Sequence, residues 1–255
     1  MSNKQTNQKK TFVYIIASLV AVLLVIVLIR GSESSSTLAI APLGAPAQVF
    51  IDRNQVDPLR STSSPTTYSV TSGQHQVLVA RDGYWPWSEE VTVAPEETTE
   101  IVPFLIEETG RQVLQTSTEI QSALVIAKEE SVPTADEPVI SADGNVQVFV
   151  DNETNILAQW TAGTSSTPDY FNCRAGTCGV SVYNQAPVRQ VSFYPGHSDV
   201  ILFATETAVF AIEIDPSGET QNFQPITEAA SQPVFTADSG SIFVLAGQRI
   251  TVSDL

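Results

Sequence analysis

Basic residues are scarce. The chain of 255 residues holds twelve lysines and arginines against twenty-eight aspartates and glutamates, a formal net charge of −16. Beyond residue 30 the imbalance grows: eight of the twelve basic residues meet all twenty-eight acidic ones, which leaves −20, and Lys128 is the one lysine. Such a surface does not neutralise phosphates, which excludes nucleic-acid binding. It equally excludes lying flat on anionic lipid. Histidine is limited to His75 and His197, and no G-x-S-x-G elbow, H-E-x-x-H pair or phosphate loop occurs. A triad would need one of them set beside a nucleophile and a carboxylate in the fold, and no motif in the sequence points to that, so both read as structural. The acid doublets Glu89-Glu90, Glu96-Glu97, Glu107-Glu108 and Glu129-Glu130 read as solvated charge, since adjacent strand residues point to opposite faces. Asp151-Asn152-Glu153-Thr154-Asn155 alternates oxygen ligands as calcium loops do. Its sixth position is Ile156 where such a loop needs glycine, and a hairpin turn explains it better. The expectation is therefore a protein without catalysis, cofactor or metal.

Charge is absent altogether from Thr11 to Ile29 (TFVYIIASLVAVLLVIVLI), a run that as a helix of about 1.5 Å rise per residue spans roughly the hydrocarbon core of a bilayer. No polar stripe interrupts it. Lys4, Lys9 and Lys10 precede the run, and after Arg30 no basic residue follows until Arg53. The positive flank stays inside, so residues 1–10 form a cytoplasmic tail, 11–30 a transmembrane helix, and the remainder is extracytoplasmic. The rival is a cleaved signal peptide, with Ala39-Ile40-Ala41 as cutting site. The apolar run is longer than the usual signal core, and the site lies well beyond it.

Cysteine is limited to Cys173 and Cys178. Two thiols make a poor zinc site. A disulfide, a pair of free thiols and a redox pair remain as readings, and an exported setting favours the disulfide.

What is abundant is Val, Ile, Phe, Thr and Ser without a long amphipathic helical pattern, which points to strands. Residues 31–41 read as a short flexible linker. Short strands follow at Gln48–Asp52, Thr67–Val70, Gln74–Arg81, Glu90–Val93 and Thr99–Leu105, with turns at Ser72-Gly73 and Asp82-Gly83. The pattern V-F-I-D, then Gly73-x-His75-x-Val77-x-Val79, then Gly83-Tyr84-x-Pro86-Trp87 resembles a PEGA domain over residues 42–106. The resemblance implies a small antiparallel β-sandwich and a cell-envelope setting. The naming tetrad is degenerate here, as Pro42-Leu43-Gly44-Ala45 or Gly44-Ala45-Pro46-Ala47, and the glycine usual after the I-D strand is replaced near Arg53-Asn54. Trp87 belongs to the family pattern and reads as packing. Trp85, two residues before it and on the same face of an extended segment, joins Trp87 as a candidate for a ligand or interface contact.

Residues 107–136 read as a bridging segment, in which Gln121–Lys128 has the look of one strand. From Glu137 a pattern recurs. Pro138-Val139-Ile140-Ser141-Ala142-Asp143-Gly144, Val191-Ser192-Phe193-Tyr194-Pro195-Gly196 and Pro233-Val234-Phe235-Thr236-Ala237-Asp238 each precede a hairpin. Spacing of this kind suggests propeller-type blades over residues 137–255, although three to four blades fall at or below what a closed ring needs. This portion also resembles the propeller-like region of bacterial membrane-anchored PEGA proteins. The sequence thus leads to an all-β ectodomain behind one N-terminal transmembrane helix: a membrane-anchored, non-catalytic scaffold or interaction protein of the cell envelope. The rival expectations are a module binding cell-wall glycan through Trp85, an extracytoplasmic sensor, and an enzyme with its site in the C-terminal β domain.

Overall fold

Alternating β-branched and polar residues punctuated by turns give strands through much of the described chain. A computed structural model describes residues 35–254 apart from 61–62, 114–115, 130, 164–166, 217–220, 229–230 and 239. The tail 1–10 and the expected membrane helix 11–30 lie outside the described residues. Among the described residues no helix is long and apolar enough to cross a membrane. Among the described residues, twenty strands and one helix fall into two compact units.

The first unit takes, of the described residues, 35–39, Thr67–Gln74 and Thr92–Ile101. Its sheet runs in the order β4 (Thr66–Thr71), β1 (Ser35–Ile40), β7 (Thr98–Ile101). The expected linker over 31–41 is thus a strand from Ser35 onward. Leu38 and Ala39 are buried, which a solvated spacer would not allow. Ser36 fixes the neighbouring turn: its hydroxyl donates to the Ala94 carbonyl at 2.9 Å and accepts the Glu96 N–H at 3.1 Å.

The second unit takes the rest. One sheet has the order β3 (Asn54–Gln55), β2 (Gln48–Ile51), β5 (Gly73–Ala80), β6 (Trp87–Val93). Asp52 and Arg53 both take positive φ between paired Ile51 and Asn54. That is the two-residue turn matched to strand twist, made here without the usual glycine. Along β5, His75, Val77 and Val79 are buried while Gln74 and Gln76 are exposed, the period of two expected of a half-buried strand.

Three further antiparallel sheets follow in chain order, each built around one of the recurring hairpins. The first is β12 (Asn172–Arg174), β13 (Thr177–Tyr183), β11 (Asn155–Trp160), β10 (Val146–Asp151), β9 (Val139–Ile140). The second is β14 (Val188–Phe193), β15 (Val200–Thr205), β16 (Val209–Glu213), β17 (Phe223–Thr227). Its β15 is buried at all six positions, so VILFAT reads as a continuous apolar run rather than an alternating one. The third is β18 (Val234–Ala237), β19 (Ser241–Ala246), β20 (Arg249–Asp254), completed by β8 (Arg111–Val113) from far upstream. The recurrence has a physical basis in its turns. Asp143 Oδ1 accepts the Ser141 hydroxyl and the Asn145 N–H, and Asp238 Oδ1 accepts the N–H groups of Gly240 and Ser241. A core of Val148, Ile156, Val180, Ile201 and Phe203 joins the first two sheets. The Gln190 side chain joins the second to the third, donating to the Phe235 carbonyl at 2.8 Å and accepting its N–H at 3.0 Å. No closed propeller is present among the described residues.

The segment 107–136 is not merely a bridge. Besides β8 it forms α1 (Thr118–Glu129), where a strand was expected over Gln121–Lys128. Ser117 caps the helix, its hydroxyl accepting the Ile120 N–H at 3.3 Å. Ile120, Leu124 and Ala127 lie at helical spacing and pack on Val234, Leu245 and Ile250. Because β8 belongs to the third sheet, a boundary at residue 137 cuts through that sheet.

Candidate interaction site

The Gly83–Ser88 segment is held from two sides. Gly83 takes φ 80°, and the Tyr84 N–H closes a turn on the Arg81 carbonyl at 3.1 Å. The Arg81 guanidinium lies over the Tyr84 ring, 4.2 Å from its centroid. On one side the Trp85 N–H donates to the Ile106 carbonyl at 2.8 Å and the Glu108 N–H to the Gly83 carbonyl at 2.9 Å. On the other side two carboxamides, one just before the edge strand β17 and one within it, take further backbone groups. Asn222 accepts the Ser88 N–H at 2.9 Å and donates to the Ser88 carbonyl at 2.9 Å. Gln224 accepts the Ile106 N–H at 3.1 Å and donates to the Pro86 carbonyl at 3.3 Å. Between these anchors Trp87 is 1 % exposed.

Residues 36–106 match the PEGA domain. The match opens six residues before the expected boundary at 42 and so takes in almost all of β1. No curated protein matches the chain.

The motif residues of the PEGA region sit where their local roles demand. Gly73 has φ 131°, in the left-handed half of backbone space, at the β4–β5 turn. His75 is 7 % exposed on the inward face of β5, with Nδ1 2.7 Å from Asp52 Oδ2. The Asp52 carboxyl is held below its ordinary value by that hydrogen bond and by the Gln76 N–H. Tyr84 donates its hydroxyl to Glu107 at 3.2 Å. Pro86 presents its carbonyl to Gln224. Trp85 is half-buried, and its indole nitrogen is shut off from solvent without a hydrogen-bond partner among the described residues.

Beneath the motif lies a group of acids that sequence reasoning missed. Glu89, expected to be solvated, is half-buried; its carboxyl is pushed up to about 8, first by burial and then by Glu213, Asp215 and Asp199. Glu213 is 7 % exposed and pushed up to about 7 by burial and by Asp199 and Asp215. The Asn222 amide, donating to Glu213 Oε2 at 2.7 Å, and the nearby Trp87 indole N–H oppose that rise. Burial and the same four acids push the Tyr170 phenol up. Asn222 thus connects the PEGA backbone at Ser88 to a protonatable carboxyl on β16. The signal was available in Asn222-Phe223-Gln224, where the usual alternation is inverted: both carboxamides are buried and the phenylalanine between them is 42 % exposed.

His197 lies apart from His75 in sequence and sheet, with Nδ1 3.3 Å from Asp199 Oδ1 and its ring edge-on to Tyr194. Residues 151–155 form a hairpin turn. Asn155 Oδ1 accepts the Ser181 hydroxyl at 2.6 Å, and Asp151 Oδ2 accepts from Asn152 at 2.8 Å. Cys173 and Cys178 form a disulfide across the β12–β13 hairpin, with Cα atoms 3.9 Å apart at directly paired positions. Ala175 and Gly176 supply the two positive-φ residues of the turn between them.

Proposed function

We propose that the chain is a single-pass, non-catalytic scaffold or interaction protein of the bacterial cell envelope, with residues 1–10 cytoplasmic, 11–30 in the membrane and the β-domains outside. The C-terminal sheets act as a propeller-like platform on which the PEGA region is mounted. The observation that carries this reading is the paired carboxamide grip of Asn222 and Gln224 on Pro86, Ser88 and Ile106, which spends the motif's polar backbone groups on internal docking. A motif committed in this way serves rigidity, and rigidity is what a mounting surface needs. The Cys173–Cys178 disulfide supports an oxidising compartment, and the uncharged run Thr11–Ile29 with its lysine-rich flank supports the anchor and its direction. The shut-off indole nitrogen of Trp85 favours this reading over glycan binding at that residue.

The experiment is protease treatment of intact, outer-layer-permeabilised cells carrying tags at both ends, followed by in-cell cross-linking and recovery of the tagged protein. The C-terminal tag is lost to external protease and the N-terminal one survives. Cross-linking retrieves envelope components absent from an unrelated single-pass control. A protected C-terminal tag refutes the orientation, and a recovery identical to the control refutes the scaffold role.

A further inference from the structure

A cavity that carries an arginine has no acidic side chain in its lining. It lies in the second unit, has a volume of about 260 Å³, and is bounded by Arg81 and Tyr84, by Phe104, and by Tyr194, Pro195 and His197. In a protein of twenty-eight acidic residues, such a lining suits an anion better than the acidic surface around it.

The cation is poised for it. The Arg81 guanidinium carbon stands 4.2 Å over the Tyr84 ring centroid, a contact that favours a stacked guanidinium with its N–H groups directed outward. Arg81 makes no ion pair within 4.0 Å among the described residues. A planar guanidinium held in this way matches a carboxylate by two parallel hydrogen bonds. The walls suit a ring. Phe104 and Tyr194 are packed at 5.5 Å between centroids, and His197 stands edge-on to both, so the lining is preformed and mainly apolar. The volume sits at the small end of ligand pockets, which are about 300 Å³ and upward, and holds one ring rather than a chain. Two hydroxyl acceptors adjoin lining residues: Glu107, hydrogen-bonded to the Tyr84 hydroxyl, and Asp199, beside His197 Nδ1.

We propose that this cleft binds an acidic sugar, its carboxylate on the Arg81 guanidinium, its ring against the aromatic and proline wall, and its hydroxyls toward Glu107 and Asp199. The carboxylate alone would suit any small acid; the adjoining acceptors select a hydroxylated ring. The site is independent of the scaffold role, and either stands without the other.

The test is titration of the full-length protein in mild detergent with glucuronic acid, glucose and N-acetylproline, read by saturation-transfer NMR and by the shifts of the Tyr84 and Tyr194 ring resonances. Glucuronic acid binds with a Kd of about 1 mM or tighter. Glucose, which lacks the carboxylate, and N-acetylproline, which lacks the hydroxyls, bind at least about tenfold more weakly. Arg81→Gln weakens glucuronic acid about tenfold, and Arg81→Lys less, because a point charge keeps the attraction and loses the fork. Thermal melting verifies that each variant is folded, and the ring shifts in the unaltered protein need no variant. Absent glucuronic acid binding, equal binding of glucose, or an Arg81→Gln protein that binds as well as the unaltered one overturns the proposal. Equal or tighter binding of N-acetylproline overturns the sugar assignment.

Discussion

Replacing Glu89 by glutamine should stabilise the protein, and the gain should grow with pH. The Glu89 carboxyl rises from 4.5 to about 8 because the folded chain takes it out of water beside Glu213, Asp215 and Asp199. In the unfolded chain it ionises near 4.5. Between those values the folded state holds a proton that the unfolded state has released. Stability is therefore fully present below about 4.5 and is lost as pH rises through about 8. At 1.36 kcal/mol per pH unit the upper bound is roughly 5 kcal/mol. Rearrangement of a half-buried side chain and proton sharing with Glu213 reduce this to roughly 2 kcal/mol. For a chain of this size that is a melting shift of about 4–8 °C. The assay is thermal unfolding in detergent at pH 5.5, 7 and 8.5, followed by circular dichroism. The unaltered protein loses melting temperature across this range, whereas Glu89→Gln is flatter and melts higher at pH 8.5. Carboxylates of ordinary pKa are already ionised at pH 5.5 and contribute no slope. Titrating groups away from this acid cluster are common to both proteins and cancel in the difference. Parallel pH profiles for the two proteins would refute the buried-acid reasoning.

Three further outcomes follow from the same contacts. Asn222→Ala or Gln224→Ala strands a backbone N–H, at Ser88 or Ile106 respectively, and costs about 1–3 kcal/mol; hydrogen exchange at those two amides should accelerate by roughly ten- to a hundredfold, and unchanged protection would contradict the docking. Gly110→Ala places a Cβ 2.5 Å from Thr251 Cγ2 and 3.2 Å from the Val252 carbonyl. It should loosen the β8–β20 pairing by about 1–3 kcal/mol, seen as faster exchange confined at first to that edge. Reduction of Cys173–Cys178, or a double serine substitution, should cost about 2 kcal/mol and roughly 4–8 °C in melting temperature, since the loop closed is short; a melting temperature insensitive to reductant would show that the hairpin holds without it.

Much of the strand framework was legible because its signals are local. Alternation marks β5, turn residues mark the hairpins, and the repeated Asp143 and Asp238 do the same hydrogen-bonding work in two sheets. The α1 segment was misread because QSALVIAK is a short apolar run, and period alone does not separate a buried strand from a helix of that length. The deciding information lay outside the run, in the Ser117 cap and in the partners Val234, Leu245 and Ile250, more than a hundred residues away. β1 was lost for a related reason. Small and polar residues at its start match a linker by composition, and only burial beside β4 and β7 makes them a strand.

The candidate site was least legible where it depends on pairs distant in sequence. Tyr84, Pro86 and Trp87 stand out as a motif, but nothing near them announces Asn222 and Gln224, which lie more than 130 residues downstream. Glu89 looked like ordinary surface charge because its neighbour Glu90 is exposed, and a strand sends the two to opposite faces. The same alternation that justified calling the doublet solvated required one of its members to point inward. The inward member then meets whatever the fold supplies, and here the fold supplies Glu213. A carboxyl placed against another carboxyl stabilises nothing by charge, so its retention in the folded chain rests on the proton it keeps and on the packing around Trp87. The acid pair and the carboxamide grip therefore form one linked unit through Asn222: its amide donates to Glu213 and also holds Ser88, one residue before Glu89. Ionising Glu213 strengthens the first bond while increasing repulsion on Glu89. Because those effects oppose each other, Glu213→Gln should flatten the pH profile less than Glu89→Gln does, and the reverse ranking in the melting experiment would place the controlling proton on β16 instead of β6.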